Sequence, residues 1–191
     1  KLPEARFYQG EAQQVLGDLP SAILIFQEII TRYPAHYLVN SAWIRKGDCQ
    51  FTLGAEDPKR YEEALNSYQV VLGGNGSAGD LRLQAEYKIG RCYEKMGRAD
   101  DAVEQYYTRV VVRYFEERQK SAQAAPALES WFTRAAFAAA DILEAQKNWR
   151  RAIRILQRVV ESGVPAAPDA QDRINRIRRE HPALQRSDTL R

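Results

Sequence analysis

The sequence predicts an all-α fold built as a stack of helix hairpins. At four places an alanine is followed four residues later by a large apolar residue, and a glycine or alanine lies on the helix before each pair. The four sets are Gly10 with Ala22 and Phe26, Gly47 with Ala64 and Tyr68, Gly90 with Ala102 and Tyr106, and Ala140 with Ala152 and Leu156. Small residues let two helices approach while the large residue fills the next gap, so the repetition indicates stacked helix pairs. Such a stack offers an extended surface rather than an enclosed pocket.

The first two hairpins are predicted over residues 3–36 and 40–78. The second has a longer connection between its helices than the first, at residues 55–59, where Pro58 and two acidic residues favour a turn followed by a helix start. We therefore expect this hairpin to keep the fold of the first, with a larger turn.

The third hairpin is predicted over residues 83–116. The glycine-rich segment before it, residues 73–80, reads as a loop whose Asp80 can cap the following helix. The second helix of this hairpin contains three consecutive valines, residues 110–112, which have a weak helix propensity. We expect tertiary packing to keep this run helical.

The fourth hairpin is predicted over residues 126–165. Extra residues before it predict a lengthened preceding helix, a break near Ala125 and a long helix from Pro126 to Gln146. A charged capping helix is predicted over about residues 168–181, followed by a tail at 182–191. We expect a single solenoid domain over residues 1–191. Because the N-terminal end has no comparable cap, we also expect the sequence to be a segment of a longer chain.

These motifs resemble the tetratricopeptide repeat (TPR), whose pattern of W-x2-L-G-x2-Y, A-x3-F and a proline recurs over about 34 residues. The third copy matches best, with Ile89, Gly90, Tyr93, Gly97, Ala102 and Tyr106. The resemblance implies a right-handed α-solenoid of about four TPR hairpins plus the capping helix. It also implies a concave groove, lined by the first helix of each hairpin, that receives a peptide or protein partner.

The small residue on the first helix of each set is here called the motif position; these residues are Gly10, Gly47, Gly90 and Ala140. Counting three and four residues from each motif position gives one groove-facing stripe on each first helix. The candidate peptide-binding residues are Phe7, Glu11, Ile44, Arg45, Asp48, Phe51, Tyr87, Lys88, Arg91, Lys95, Phe137 and Asp141. For Phe7, Ile44, Tyr87 and Phe137 the alternative is that the side chain packs only against neighbouring helices. Apolar positions between opposite charges suit a peptide that alternates apolar and charged side chains.

Charge supports a second class of partner. The whole chain has a net charge of +3, but the segment from Lys147 onward contains eleven Lys or Arg and five Asp or Glu. As an alternative, this excess of positive charge indicates that the protein binds nucleic acid or another anionic partner through its basic C-terminal repeat. Only Trp149 lies among these basic residues as an aromatic able to stack on bases, so we favour a protein partner over nucleic acid. A third alternative is self-association through the uncapped first helix.

The sequence contains no pattern typical of catalysis, metal binding or a cofactor. His36 and His181 lie at predicted helix boundaries, and the glycine-rich segment lacks the Gly-Lys-Ser/Thr ending of a phosphate loop. Cys49 and Cys92 occupy equivalent repeat positions about 10 Å apart, too far for a disulfide, so we expect two free, buried thiols. No apolar run reaches the roughly 20 residues needed to span a membrane. We therefore predict a non-enzymatic scaffold without cofactor, metal or membrane span.

A second resemblance concerns localisation. Residues 26–54 resemble bacterial cell-envelope TPR proteins of the TolA-binding and outer-membrane assembly lipoprotein type. This resemblance favours the bacterial periplasm or cell envelope over the cytoplasm.

Overall fold

The structure is a computed structural model that describes residues 1–73, 79–120 and 126–184, and all its regular elements within these ranges are helical. The α-helices are α1 Leu2–Leu16, α2 Leu19–Arg32, α3 Val39–Leu53, α4 Lys59–Gly73, α5 Gly79–Lys95, α6 Ala99–Glu104, α7 Arg113–Lys120, α8 Pro126–Ala145, α9 Trp149–Ser162 and α10 Ala167–Glu180. The predicted all-α fold is thus confirmed. None of the helices in the described ranges has the length and apolar character needed to cross a membrane. The chain forms two compact units, Lys1–Arg98 and a second that begins at Ala99.

The first unit contains two helix hairpins, α1 with α2 and α3 with α4, followed by α5. The small–large contacts predicted from the sequence are present in both hairpins. A Cβ atom on Gly10 would lie 2.7 Å from Cε1 of Phe26, and one on Gly47 would lie 2.5 Å from Cε1 of Tyr68. Only glycine therefore allows each pair of helices to cross at this separation without moving a buried ring.

Local capping explains where the helices of the first unit begin and end. Gly17 ends α1 with a φ of 84°, a left-handed conformation that glycine adopts without a steric penalty. Asp18 then caps α2 by accepting a hydrogen bond from the backbone N–H of Ser21 at 3.2 Å. The longer turn predicted in the second hairpin is also confirmed, and α4 begins at Lys59, whose N–H donates to Oδ1 of Asp57 at 3.2 Å.

The core of the first unit lies on both sides of each second helix. One buried cluster joins α1, α2 and α3 and contains Phe7, Ala22, Phe26, Ile29, Ile30, Ala42 and Cys49. The other joins α3, α4 and α5 and contains Ile44, Ala64, Tyr68, Val71, Ala85, Ile89 and Cys92. Each second helix is therefore buried between the first helix of its own hairpin and the first helix that follows it.

The two cysteines are free and buried, as the sequence predicts. Burial raises the pKa of the Cys49 thiol to about 11, and the nearby Asp48 carboxylate acts in the same direction. Burial also raises the pKa of Cys92 to about 12. Both thiols are thus protonated and poorly nucleophilic at neutral pH.

The second unit contains α6, a π-helical segment at Gln105–Val112, and helices α7 to α10. The predicted lengthened helix is present as α7, and the predicted long helix is present as α8. The predicted break near Ala125 lies outside the described residues. Helix α8 packs on the elements before it, where the rings of Phe132 and Tyr114 stack at a centroid distance of 4.1 Å. Helix α10 confirms the predicted capping helix, because its buried side chains Ala170, Ile174 and Ile177 lie on the side that packs against α9.

The π-helical segment departs from a regular α-helix in a way that the sequence did not predict. The three valines are helical, as expected, but the surrounding turns are wider than α-helical turns. Tyr106, Val110 and Val111 are all buried, so two adjacent valines point inward together with the tyrosine before them. β-Branched side chains crowd the preceding α-helical turn, and a wider turn relieves this crowding while burying both valines.

Candidate functional site

Six of the candidate residues from the first unit form ion pairs or ring contacts that link one first helix to the next, and Tyr87 is hydrogen-bonded to one of the six, Arg91. Between α1 and α3, Nη2 of Arg45 donates to Oε1 of Glu11 at 2.6 Å. Between α3 and α5, Nζ of Lys88 donates to Oδ1 of Asp48 at 2.6 Å. Together with the exposed Lys95 at the end of α5 they form a continuous surface, here named the first-helix face. Its members are Glu11, Arg45, Asp48, Phe51, Tyr87, Lys88, Arg91 and Lys95.

Asp48 is the most constrained residue of this face. Besides the ammonium of Lys88, its carboxylate accepts a hydrogen bond from the hydroxyl of Tyr68 at 2.8 Å. The side chains of Lys88 and Asp48 are only 20% and 15% exposed. Burial, reinforced by the Asp48 carboxylate, raises the pKa of Tyr68, so its hydroxyl stays protonated and acts as the donor. Asp48 and Lys88 therefore stabilise the packing of three helices more than they offer charge to a ligand.

Phe51, Tyr87 and Arg91 form a half-buried cluster across α3 and α5. The guanidinium carbon of Arg91 lies 5.8 Å from the centroid of the Phe51 ring, a cation–π arrangement. Nη1 of Arg91 also donates to the hydroxyl oxygen of Tyr87 at 3.4 Å. Phe51 rests edge-on against Tyr61 of α4 at a centroid distance of 5.3 Å. The cluster thus presents partly exposed aromatic surface beside a positive charge.

Two of the predicted groove residues belong to the core instead. Phe7 is packed edge-on against Phe26 at a centroid distance of 5.6 Å, within the first core cluster. Ile44 lies in the second core cluster. Their assignment to a ligand-binding surface is therefore corrected. Both side chains are apolar, and burying their area in the core is favourable, so they pack inward rather than line the groove.

In the second unit the predicted stripe on α8 is engaged by α10. Arg173 of α10 donates to Oδ1 of Asp141 and to Oε1 of Glu144, both at 2.5 Å. Its guanidinium carbon also lies 6.0 Å from the ring centroid of Phe137. Burial would lower the pKa of Arg173, but its hydrogen bonds to Glu144 and Asp141 outweigh burial and raise it. Phe137 and Asp141 thus contact the capping helix, and their place in a ligand-binding face stays a prediction.

The basic side chains of the C-terminal segment are partly neutralised within the fold. Arg176 lies 3.4 Å from Glu144, and Arg158 lies 3.1 Å from Glu161. Arg151 and Arg154 are exposed on α9. Two further members, Arg186 and Arg191, lie outside the described residues, so the anionic-partner alternative stays a prediction.

Within the described ranges, no group of three His, Cys, Asp or Glu side chains is placed to hold a metal ion. His36 lies 3.6 Å from Glu4, and His181 stacks on Trp149 at a centroid distance of 4.1 Å. Both histidines are thus at helix ends, where the sequence places them.

Sequence reasoning missed two side chains that shape these surfaces. The repeat pattern identifies Tyr68 only as its large residue. A buried tyrosine hydroxyl requires a hydrogen-bond partner, however, so a tyrosine at this position indicates a polar neighbour. Arg173 was counted only as part of a basic segment. Its pairing with Asp141 and Glu144 had no local signal, because the partners are 32 and 29 residues away in the sequence.

Comparisons with known proteins agree with this fold. The tetratricopeptide repeat family matches residues 4–36, 84–114 and 134–162, which correspond to the first, third and fourth predicted repeats. No curated protein is significantly similar in sequence. The likeness to bacterial cell-envelope proteins is not shown by any of these comparisons.

Two solved structures share the same architecture at low sequence identity. A crystal structure of nearly identical TPR-like repeats from Podosopora anserina is similar with a TM-score of 0.63 and 14% identity, covering 98% of this chain and 90% of that one. A single-residue variant of those repeats has a TM-score of 0.63 and 15% identity, covering 100% and 92%. A tetratricopeptide repeat protein from Parabacteroides merdae has a TM-score of 0.48 and 19% identity, covering 92% and 72%. The chain is a tetratricopeptide repeat protein.

Proposed function

We propose that this protein is a non-catalytic scaffold and that its first-helix face binds a peptide segment of a protein partner. TPR repeats generally mediate protein–protein interaction. The observation that carries the proposal is the half-buried cluster of Phe51, Tyr87 and Arg91, which spans two neighbouring first helices. Aromatic and arginine side chains in such a setting are the residue types that dominate binding energy at protein interfaces.

The charges around the cluster fit a peptide that carries both signs. Glu11 and Arg45 pair with each other, but their side chains are 29% and 40% exposed, so the pair contributes little to stability and can be shared with a ligand. Lys95 is exposed at the end of α5. A peptide carboxylate can accept hydrogen bonds from Arg45 or Lys95 while an apolar side chain covers Phe51 and Tyr87. Asp48 and Lys88 hold the two helices at the spacing that this arrangement needs.

The test is selection of peptides from a random library on the intact protein, followed by calorimetric titration of the best binder. The double variant Tyr87→Ala with Arg91→Glu is expected to weaken binding by at least about 2 kcal/mol, the scale of an interface hot spot. The matched control is Arg154→Glu, a charge reversal on an exposed position of α9, which is expected to leave the affinity unchanged.

Thermal melting separates binding from folding in this experiment. The double variant is expected to melt within a few degrees of the parent protein, because Tyr87 and Arg91 are only half-buried. Equal affinity of parent and double variant would overturn the proposal. So would a double variant that melts early and still binds, because the cluster would then be part of the core.

A further inference from the structure

The outward side of α1 carries an apolar surface that nothing in the described chain covers. Tyr8 and Leu16 are 68% and 77% exposed, and the small residues Ala5 and Ala12, which alternate with them along the helix, are exposed as well. These four residues follow one another at helical spacing and so share one side of the helix. We name them the outer face of α1. Phe7 and Gly10, which contact α2, lie on the other side.

The internal repeats show what normally covers this surface. An alanine stands five residues before the motif position of every first helix, and all but the first of these alanines are fully buried. The exposed one is Ala5, and its buried counterparts are Ala42, Ala85 and Ala135. Two residues after the motif position, Ala12 is exposed, whereas its counterparts Cys49 and Cys92 are fully buried.

In the first unit, the covering element is always the second helix of the preceding hairpin. Ala42 and Cys49 of α3 lie in one cluster with Phe26, Ile29 and Ile30 of α2. Ala85 and Cys92 of α5 lie in one cluster with Tyr68 and Val71 of α4. The small residues leave a shallow depression on the first helix, and aromatic and aliphatic residues of the covering helix pack in the same cluster. The outer face of α1 has the same small residues, but no helix of the described chain packs against them.

The covering helices share an apolar pattern, which defines the chemistry of a helix that fits the outer face of α1. In both α2 and α4 an alanine is followed by aliphatic or aromatic residues one, four, seven and eight positions later. These residues are Ile23, Phe26, Ile29 and Ile30 in α2, and Leu65, Tyr68, Val71 and Leu72 in α4. We propose that the outer face of α1 binds an amphipathic helix with this pattern. This site is separate from the first-helix face and does not depend on the function proposed for it.

A second copy of the chain fits this surface less well than such a helix. If two copies met through α1, Ala5 and Ala12 of one copy would face the same small residues on α1 of the other copy. Such a contact leaves these positions without the large apolar side chains that pack in the same clusters in the other repeats. The polar exposed side of α10, with Asp172, Asn175 and Arg176, cannot supply such side chains either.

The test supplies the proposed helix from the chain's own sequence. A copy of residues 39–78, which contains α3 and α4, is fused directly before residue 1 of the full chain, so that the appended α4 precedes α1 as the native α4 precedes α5. Amide hydrogen exchange in α1 is expected to slow at least tenfold relative to a control fusion. In that control, the appended copies of Tyr68 and Val71 are replaced by aspartate. Equal exchange in the two fusions would overturn the proposal.

Point variants locate the contact and test the competing occupant. Within the fusion, Ala12→Glu is expected to restore fast exchange, whereas Leu24→Glu is not. Leu24 is 71% exposed, and its counterparts Asn66 and Arg154 are exposed too, so it lies outside the repeated interface. The unfused protein is expected to sediment as a monomer at micromolar concentration. A dimer that Ala12→Glu dissociates and Leu24→Glu leaves intact would overturn the proposal in favour of self-association.

Discussion

The interaction between Asp48 and Lys88 gives the most direct test of how the first unit is held together. In the variant Asp48→Ala, the ammonium of Lys88 and the hydroxyl of Tyr68 both lose their acceptor. Hydrogen bonds to a charged group contribute about 1.5–3 kcal/mol each. Because the two charged side chains are 15% and 20% exposed rather than fully buried, we place each bond at the low end of that range. The free energy of unfolding is therefore expected to fall by about 3 kcal/mol in total.

A double-mutant cycle isolates the ion pair from the other effects of each substitution. Asp48→Ala, Lys88→Met and the double variant are compared by urea unfolding, and amide hydrogen exchange in α3 and α5 confirms that the loss lies in the first unit. The expected coupling energy between the two residues is about 1–1.5 kcal/mol.

The matched control for this cycle is Arg45→Met, which removes the more exposed pair with Glu11 from the same face. It is expected to cost no more than about 0.5 kcal/mol. A coupling energy between Asp48 and Lys88 below about 0.3 kcal/mol would refute the reasoning, since the pair would then behave as a solvated surface ion pair.

Two further predictions concern the close helix crossing and the buried thiols. Gly47→Ala is expected to lower the free energy of unfolding by about 1–3 kcal/mol, because the new methyl group overlaps the buried ring of Tyr68 and this outweighs the better helix propensity of alanine. Gly73→Ala, where no atom of the described residues lies within 4 Å of the new Cβ, is the control and is expected to be neutral or stabilising in the same urea experiment. Cys49 and Cys92 are protonated in the folded state up to about pH 11 and 12, whereas in the unfolded chain they ionise near pH 9.0. Their contribution to stability is complete below pH 9.0 and is lost as the pH rises towards 11. Between pH 8 and pH 10.5 the free energy of unfolding should therefore fall more steeply with pH for the parent than for the Cys49→Ala/Cys92→Ala variant. Equal slopes for the two proteins would contradict the assignment of these pKa values.

The helix hairpins were predictable because their determinants are local and recur along the chain. The contacts of Gly10 with Phe26 and of Gly47 with Tyr68 follow from residue size at fixed spacing, and the structure contains both. The capping helix was predictable for a similar reason, since Ile174 and Ile177 mark one apolar side of a charged helix. Because the pattern recurs, the well-preserved third copy of the repeat supports the assignment of the copies that match the pattern less well.

The surface was less predictable, because helical spacing does not state how deeply a side chain is buried. Phe7 and Tyr87 precede their motif glycines by the same number of residues, yet Phe7 is in the core and Tyr87 is half-buried. Ion pairing across helices was also hidden from the sequence. The residues that engage Asp48 and Asp141 come from other helices, and their choice depends on distances that only the folded chain defines.

The pairing of charges on the first-helix face also has a kinetic consequence. Glu11 faces Arg45, Asp48 faces Lys88, and Arg91 lies 3.6 Å from Glu94, so the fields of these paired charges largely cancel within a few ångströms. The paired charges give little long-range attraction to an approaching peptide, and the exposed Lys95 adds a single positive charge to the face. Association is therefore expected near the unsteered rate of about 10⁵–10⁶ M⁻¹s⁻¹, with a weak dependence on salt. Discrimination between peptides is then determined by how long each one stays bound.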